Sequence, residues 1–276
     1  MITASIFADF WNDQIVAEEK QGLFLVLVGF LLSFGFIRMS TRLMRSPRVP
    51  WWPGSVVSEG GVHVHHLVFG IVTMMVAGAV GFTVLGDSPW VEICAFAFGI
   101  GAGLTIDEFA LWVYLEDVYW SEQGRVSIDA TVIAAAAMGL ILLGFTPFTF
   151  ETGSLAETLE SLAGALIVFL CVAVCFLKQR LLHGTVGFFV LPIAVYGAVR
   201  IGKPGSPWAR RRYGERDSAK QSEAEDRFSP DRRTERFKNA FRNIVGGRPS
   251  EGVAAATEEV RAAGREAIDR ITHPSP

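Results

Sequence analysis

The chain has 276 residues, half of them hydrophobic and only 19% charged, against about 25% charged in soluble domains. Its formal net charge of −3 is unevenly distributed: from Lys203 onward there are 16 Lys/Arg and 12 Asp/Glu, net +4, which leaves −7 on the remainder. The apolar residues fall in long blocks, which excludes an ordinary soluble domain, and the basic portion is a tail outside those blocks.

Runs of about 18 or more apolar residues span a bilayer by length alone. They lie at about 21–38, 66–86, 90–115, 129–147, 161–177 and 181–199. Lipid leaves unpaired backbone no alternative to helices or closed barrels, and these runs do not alternate. The expectation is an all-α polytopic membrane helix bundle of about six transmembrane segments. It divides into an N-terminal interfacial segment (1–20), the bundle (21–200) and a soluble basic tail (201–276), partly helical and partly disordered.

In residues 1–20, Ile6, Phe7, Phe10, Trp11 and Ile15 recur at helical spacing opposite Asp9 and Asp13, the pattern of a helix lying in the interface. No signal peptide is recognisable there. The first span ends in Arg38, Arg42, Arg45 and Arg48, followed by Pro50-Trp51-Trp52-Pro53, an aromatic anchor at headgroup level.

Spans two and three are joined by Gly86-Asp87-Ser88-Pro89, a connection so short that they must form an antiparallel hairpin. Its turn sets a register in which facing residue numbers sum to about 176. His63, His66, Gly70, Thr73 and Ala77 form one seam, and Ile100, Gly103, Asp107, Ala110 and Tyr114 another. Pairing the seams sets His66 opposite Ala110, Gly70 opposite Asp107 and Thr73 opposite Gly103, with small residues allowing close approach. Asp107 then lies about 5 Å, one turn, deeper than His66. His65 and Glu108 point about 100° away from these seams. The run Gly99-x-Gly101-x-Gly103 follows no strand and is no nucleotide fingerprint; it is expected to loosen the helix just before Asp107.

Further on, Glu116 to Glu122 reads as an interfacial loop, and span four is rich in alanine. Ser154 and Glu157 are spaced as a capping box before span five. Cys94, Cys171 and Cys175 lie within apolar runs and are read as packing residues. In the tail, Ser206 to Tyr213 is basic and aromatic, suited to anionic headgroups. Ser229-Pro230 begins a helix with Phe237, Phe241, Ile244 and Val245 on one face and Gly246 as its stop, and a weaker helix is expected from about Ser250 to Ile271.

Ionisable groups at membrane depth are costly and usually have a task. If every run crosses once, His63, His65, His66 and His183 gather at one rim with Asp107, Glu108, Glu116 and Asp117. Neutral imidazoles are common ligands of zinc and iron. The leading expectation is therefore a divalent metal, zinc or iron, held by His63, His65, His66, Asp107 and His183, serving lipid-directed hydrolysis or oxidation. Asp107 and Glu108 are the catalytic candidates, with Glu108 as general base or bridging ligand beside a metal-bound water whose pKa is lowered to about 7. The alternative is a proton- or ion-coupled transporter in which Asp107 and Glu108 titrate and the histidines relay protons. A further alternative is a non-catalytic assembly protein whose tail docks a protein partner or a second copy. Membrane lipids are expected partners and nucleic acid is not.

Orientation is contradictory on six crossings. The loops after spans one, three and five hold four, one and two Lys/Arg, and the chain just after Arg200 is as basic, yet six crossings put them on opposite sides. Either 181–199, with Gly184, Gly187, Pro192 and Gly197, dips in and returns, or one basic cluster lies outside.

Three motifs together, His63-x-His65-His66, Asp107-Glu108-Phe109-Ala110-Leu111-Trp112 and Ser206-Pro207-Trp208-Ala209-Arg210-Arg211-Arg212-Tyr213, resemble a group of uncharacterised bacterial integral membrane proteins. The resemblance implies a multi-pass protein of the inner (plasma) membrane and carries no activity. A weaker likeness, histidines with an aspartate at the membrane surface, is to zinc-dependent membrane hydrolases of the ceramidase type and to membrane desaturases. This chain lacks the repeated His boxes of the desaturases and any downstream His-x-x-x-His; its other histidines are His183 and His273.

Overall fold

The computed structural model describes residues 11–52, 65–84, 86–115, 119, 121, 123–145, 154–213 and 218–247. Every regular element among them is helical. A single π-type turn, Trp11–Val16, buries Ile15 and sets Trp11 edge-on against Phe24. Eleven helices follow: α1 Gln21–Met44, α2 His66–Thr83, α3 Trp90–Asp107, α4 Phe109–Tyr114, α5 Arg125–Leu142, α6 Leu155–Leu177, α7 Leu181–Phe189, α8 Leu191–Val199, α9 Pro207–Arg212, α10 Ser218–Arg227 and α11 Arg233–Gly246.

Five of them, α1, α2, α3, α5 and α6, are long and apolar enough to cross a membrane. At 1.5 Å per residue even the 18-residue helices reach about 27 Å, close to the hydrocarbon thickness of about 30 Å. Their outer faces carry Leu32, Met75, Phe82 and Leu155 at 60–78% exposure, a surface that only lipid would cover favourably. The protein is thus an all-α polytopic bundle.

The centre of the bundle is α3, packed between α1 and α2, and its glycines serve the two neighbours alternately. A Cβ at Gly99 would strike the Val26 backbone and one at Gly103 would strike Phe30 and Ser33, all on α1. Gly101 faces the other way, where a Cβ would come 2.6 Å from the Gly70 carbonyl oxygen and 2.8 Å from Met74 on α2. Membrane helices lack a hydrophobic drive towards each other, so this close backbone approach is a main source of their cohesion. The expected hairpin register holds: Gly70 meets Thr105, Gly78 meets Phe98 and Gly81 meets Cys94, with sums of about 175. The face does not, because Gly103 packs on α1 instead of opposite Thr73. Nor does the glycine run loosen α3, which is unbroken to Asp107. The run expected at 90–115 breaks after the glycines, at Glu108.

The sixth apolar run is two short helices. Pro192, in the first turn of α8, removes a backbone donor where α7 has already ended. The chain turns at Val190, and α8 folds back along α7: a Cβ on Gly187 would lie 2.6 Å from Ala194, and one on Gly197 2.7 Å from His183. Nine residues reach only about 13 Å, too short for either helix to cross a bilayer, so the sixth run is a helical hairpin. Backbone at its tip is sheltered against α6, where Val168, Val172 and Ala194 form a buried cluster. The fold of 181–199 matches the returning segment of the two possibilities left open by the charge pattern, and among the described residues five helices are long and apolar enough to span.

In the tail, α9 is capped by the Ser206 hydroxyl, which accepts from the Ala209 N–H at 3.2 Å. Tyr213, Ala209 and Ala224 form a small core with Ile201 and Trp208. α11 matches the expected helix ending at Gly246, and its apolar face, with Phe237 and Ile244, is exposed. His63, the first ten residues of the expected interfacial segment 1–20 and the expected helix at about 250–271 lie outside the described residues.

Candidate functional site

Where α3 ends, three breaks in helical structure come together, and each leaves backbone groups without an intrahelical partner. The carboxylate of Glu108 meets the start of α2: its Oε2 accepts the Leu67 N–H at 3.0 Å, where the helix dipole favours a negative charge. The guanidinium of Arg38 meets the end of α3, its Nη2 donating to the Asp107 carbonyl oxygen at 3.4 Å. The Ser127 hydroxyl, from α5, accepts the Ala110 N–H at 2.9 Å in the first turn of α4. Five helices, α1 to α5, are thereby tied at one point.

The same side chains form a buried cluster of charge. Asp107 is fully buried and Arg38 is 5% exposed, with Arg38 Nε 2.5 Å from Asp107 Oδ1. His66 stands between the two carboxylates, its Nε2 3.2 Å from Asp107 Oδ2 and its Nδ1 3.5 Å from Glu108 Oε1. His65 Nδ1 lies 2.8 Å from the same Glu108 oxygen. The Arg38 and His66 approaches to the Asp107 carboxylate are close but poorly aligned for hydrogen bonding; the Arg38 contact holds by charge, which is less directional. The ring of Tyr119 covers Arg38, 4.7 Å from its guanidinium carbon, and its hydroxyl is 3.3 Å from Thr41 Oγ1. Burial above all, and then the Asp107 charge, push the Tyr119 phenol well above its ordinary range.

The tail closes over this rim. Arg42 donates to the carbonyl oxygens of Asn243 and Ile244, Arg125 to Asn243 Oδ1 at 2.6 Å, and Arg242 grips Asp129 with Nε at 3.1 Å and Nη2 at 2.6 Å. A Cβ on Gly246 would meet Ile128 and come within 3.5 Å of Arg38 Nη1.

Of the residues singled out in the sequence, His65, His66, Asp107 and Glu108 are brought together. His65 and Glu108, read as pointing to other helices, face each other: His65 precedes α2 in extended backbone, and the hitch at Glu108 redirects its side chain. His66 faces Asp107 and not Ala110. His183 sits elsewhere, stacked on Tyr196 at 5.8 Å and beside Gly197. Among the described residues, no group of three or more His, Cys, Asp or Glu is arranged to hold a metal ion. The residue that sequence reasoning missed is Arg38, taken as one of four flanking cations. Its signal was there: it follows Phe36-Ile37 within the apolar run, a turn deeper than Arg42.

Comparison with protein-family models, with curated proteins and with solved structures gives no significant match to this chain. Fold and site together define a class, a polytopic membrane bundle with a buried cluster of two carboxylates, two imidazoles and a guanidinium at one rim.

Proposed function

We propose that this protein is a proton-coupled transporter of the inner (plasma) membrane, and that His65, Glu108, His66 and Asp107 are its proton relay at the cytoplasmic rim. The observation that carries the reading is the position of His66, one imidazole with each nitrogen towards a different buried carboxylate. Imidazole passes protons by taking one at one nitrogen and releasing another from the second. Arg38 matches one ionised carboxylate, and a protonated His65 or His66 matches the other. One proton therefore switches the cluster between neutral and −1, a large change in a medium of low dielectric. His65, a quarter exposed, is the entry, and Asp107 is the inner end.

Two features support the rest of the reading. The α7–α8 hairpin is a broken helix pair of the kind transporters place at membrane depth. Because it returns, Arg38 to Arg48, Arg125, Lys178, Arg180 and the chain after Arg200 share one rim, which the positive-inside rule assigns to the cytoplasm. A divalent cation does not fit these residues as they stand, since Arg38 occupies Asp107, and Glu108 is taken by His65 and the Leu67 N–H.

The test is proton flux into proteoliposomes with an entrapped pH dye. Glu108→Gln keeps an acceptor for the Leu67 N–H but cannot carry a proton, so flux should fall by about a hundredfold or more, the contribution typical of a positioned proton-transfer group. Wild-type flux equal to that of empty liposomes would sink the reading. Stoichiometric divalent metal in the purified protein, lost in His65→Ala/His66→Ala, would replace it with a metal site.

A further inference from the structure

A second candidate site shares no lining residue with the relay. The turn between α6 and α7, the end of α8, and helices α9 and α10 enclose a cleft of about 440 Å³, within the usual range of about 300–1,000 Å³ for ligand pockets. Five cations line it, Lys178, Arg200, Arg212, Lys220 and Arg227, against one acid, Glu223. The walls are packed against one another. Lys178 lies 4.9 Å from the Trp208 ring centre and Arg212 5.2 Å, Tyr213 Oη accepts the Gly202 N–H at 3.1 Å, and Ser206 is fully buried.

Two of the cations are held in place by groups that do not neutralise them. Lys178 Nζ donates to the carbonyl oxygens of Ala198 and Arg200, and Arg200 Nε to Tyr196 Oη at 3.0 Å. Desolvation first, and then the Arg180 charge, hold the Lys178 ammonium below its ordinary range. A dense positive field in a concave, aromatic-walled site is suited to a polyanionic oxygen group, which arginine forks bind in bidentate fashion. One lip is Val199, the last residue of α8, apolar and 78% exposed.

We propose that this cleft binds the phosphate group of an anionic phospholipid headgroup, with Arg212 and Arg227 as its principal contacts and Val199 against the acyl chains. The same chemistry would accept a soluble phosphate compound, and competition separates the two sources.

The experiment is native mass spectrometry of the full-length protein from nanodiscs containing phosphatidylglycerol and phosphatidylcholine, with and without inorganic phosphate. Arg212→Gln/Arg227→Gln should lower phosphatidylglycerol retention by about tenfold or more, in keeping with the contribution of each basic residue at an anionic surface. Arg210→Gln/Arg211→Gln, an equal loss of charge on the exposed side of α9, should leave it within about twofold. If the double variant does not elute as a monodisperse species, Arg227→Gln alone provides the comparison. Displacement of the lipid by millimolar phosphate assigns the phosphate site to a soluble ligand; resistance to displacement assigns it to the headgroup. Equal losses in both charge variants, or no preference for phosphatidylglycerol in the wild type, would overturn the proposal.

Discussion

The bundle contains two helix triplets, α1–α2–α3 and α6–α7–α8, which bury cations at the same rim by opposite means. In the first, Arg38 is neutralised by a carboxylate and shares a cluster with two imidazoles. In the second, Lys178 and Arg180 are held by backbone carbonyl oxygens of Ala198, Arg200 and Ile201, the unpaired acceptors at and just past the end of α8. Carbonyl dipoles orient a cation without cancelling its charge. The first triplet therefore sets its cation against a carboxylate, and the second leaves the charge of its cations uncancelled.

The strongest way to break that comparison is to remove one cation from each triplet. Arg38→Leu strands a buried carboxylate and should destabilise the protein by about 3–5 kcal/mol, with much of the loss recovered in Arg38→Leu/Asp107→Leu. Lys178→Met leaves carbonyl acceptors unmet but no bare charge, so its cost should be smaller, about 1–3 kcal/mol. Thermal unfolding in detergent measures both, and equal losses would erase the distinction.

Packing sharpens it next. Gly99→Val on α3 and Gly187→Val on α7 both drive a side chain into backbone, Val26 in one case and Ala194 in the other, and each should cost about 1–3 kcal/mol. Gly164→Val on α6 meets nothing within 4 Å and should be close to neutral; if it is as damaging, loss of helix glycines and not close packing governs stability.

The smallest effect is a titration. The folded Tyr119 phenol holds its proton above the ordinary value of 10.0, so its contribution to stability is complete below about pH 10 and fades as pH rises through the folded value. Ultraviolet titration should show one of the four tyrosines ionising only on unfolding, and Tyr119→Phe should remove that component. A Tyr119 that titrates with the others would mean that the lid over Arg38 is open.

Much of this was legible beforehand. Apolar run lengths gave the spanning helices because hydrocarbon imposes one length on any helix that crosses it. The four-residue turn Gly86 to Pro89 gave the antiparallel register, and Ser154 with Glu157 gave the capping box that forms, the Ser154 hydroxyl accepting the Glu157 N–H at 3.3 Å. The convergence of His66 with Asp107 followed from that register. What the α2–α3 pair could not reveal was a third helix: α1 runs parallel to α3 and delivers Arg38 from far away in the chain.

The amino-acid sequence alone determined the class, the register of one hairpin and the rim at which imidazoles meet carboxylates, because all of these follow from local hydrophobicity and short connections. Tertiary structure alone decided which glycine faces which neighbour, that the run at 181–199 turns back, and that Asp107 is clamped by Arg38 from α1. Those outcomes depend on how helices distant in the chain share backbone contacts and unpaired polar groups, and no local pattern of residues encodes that competition.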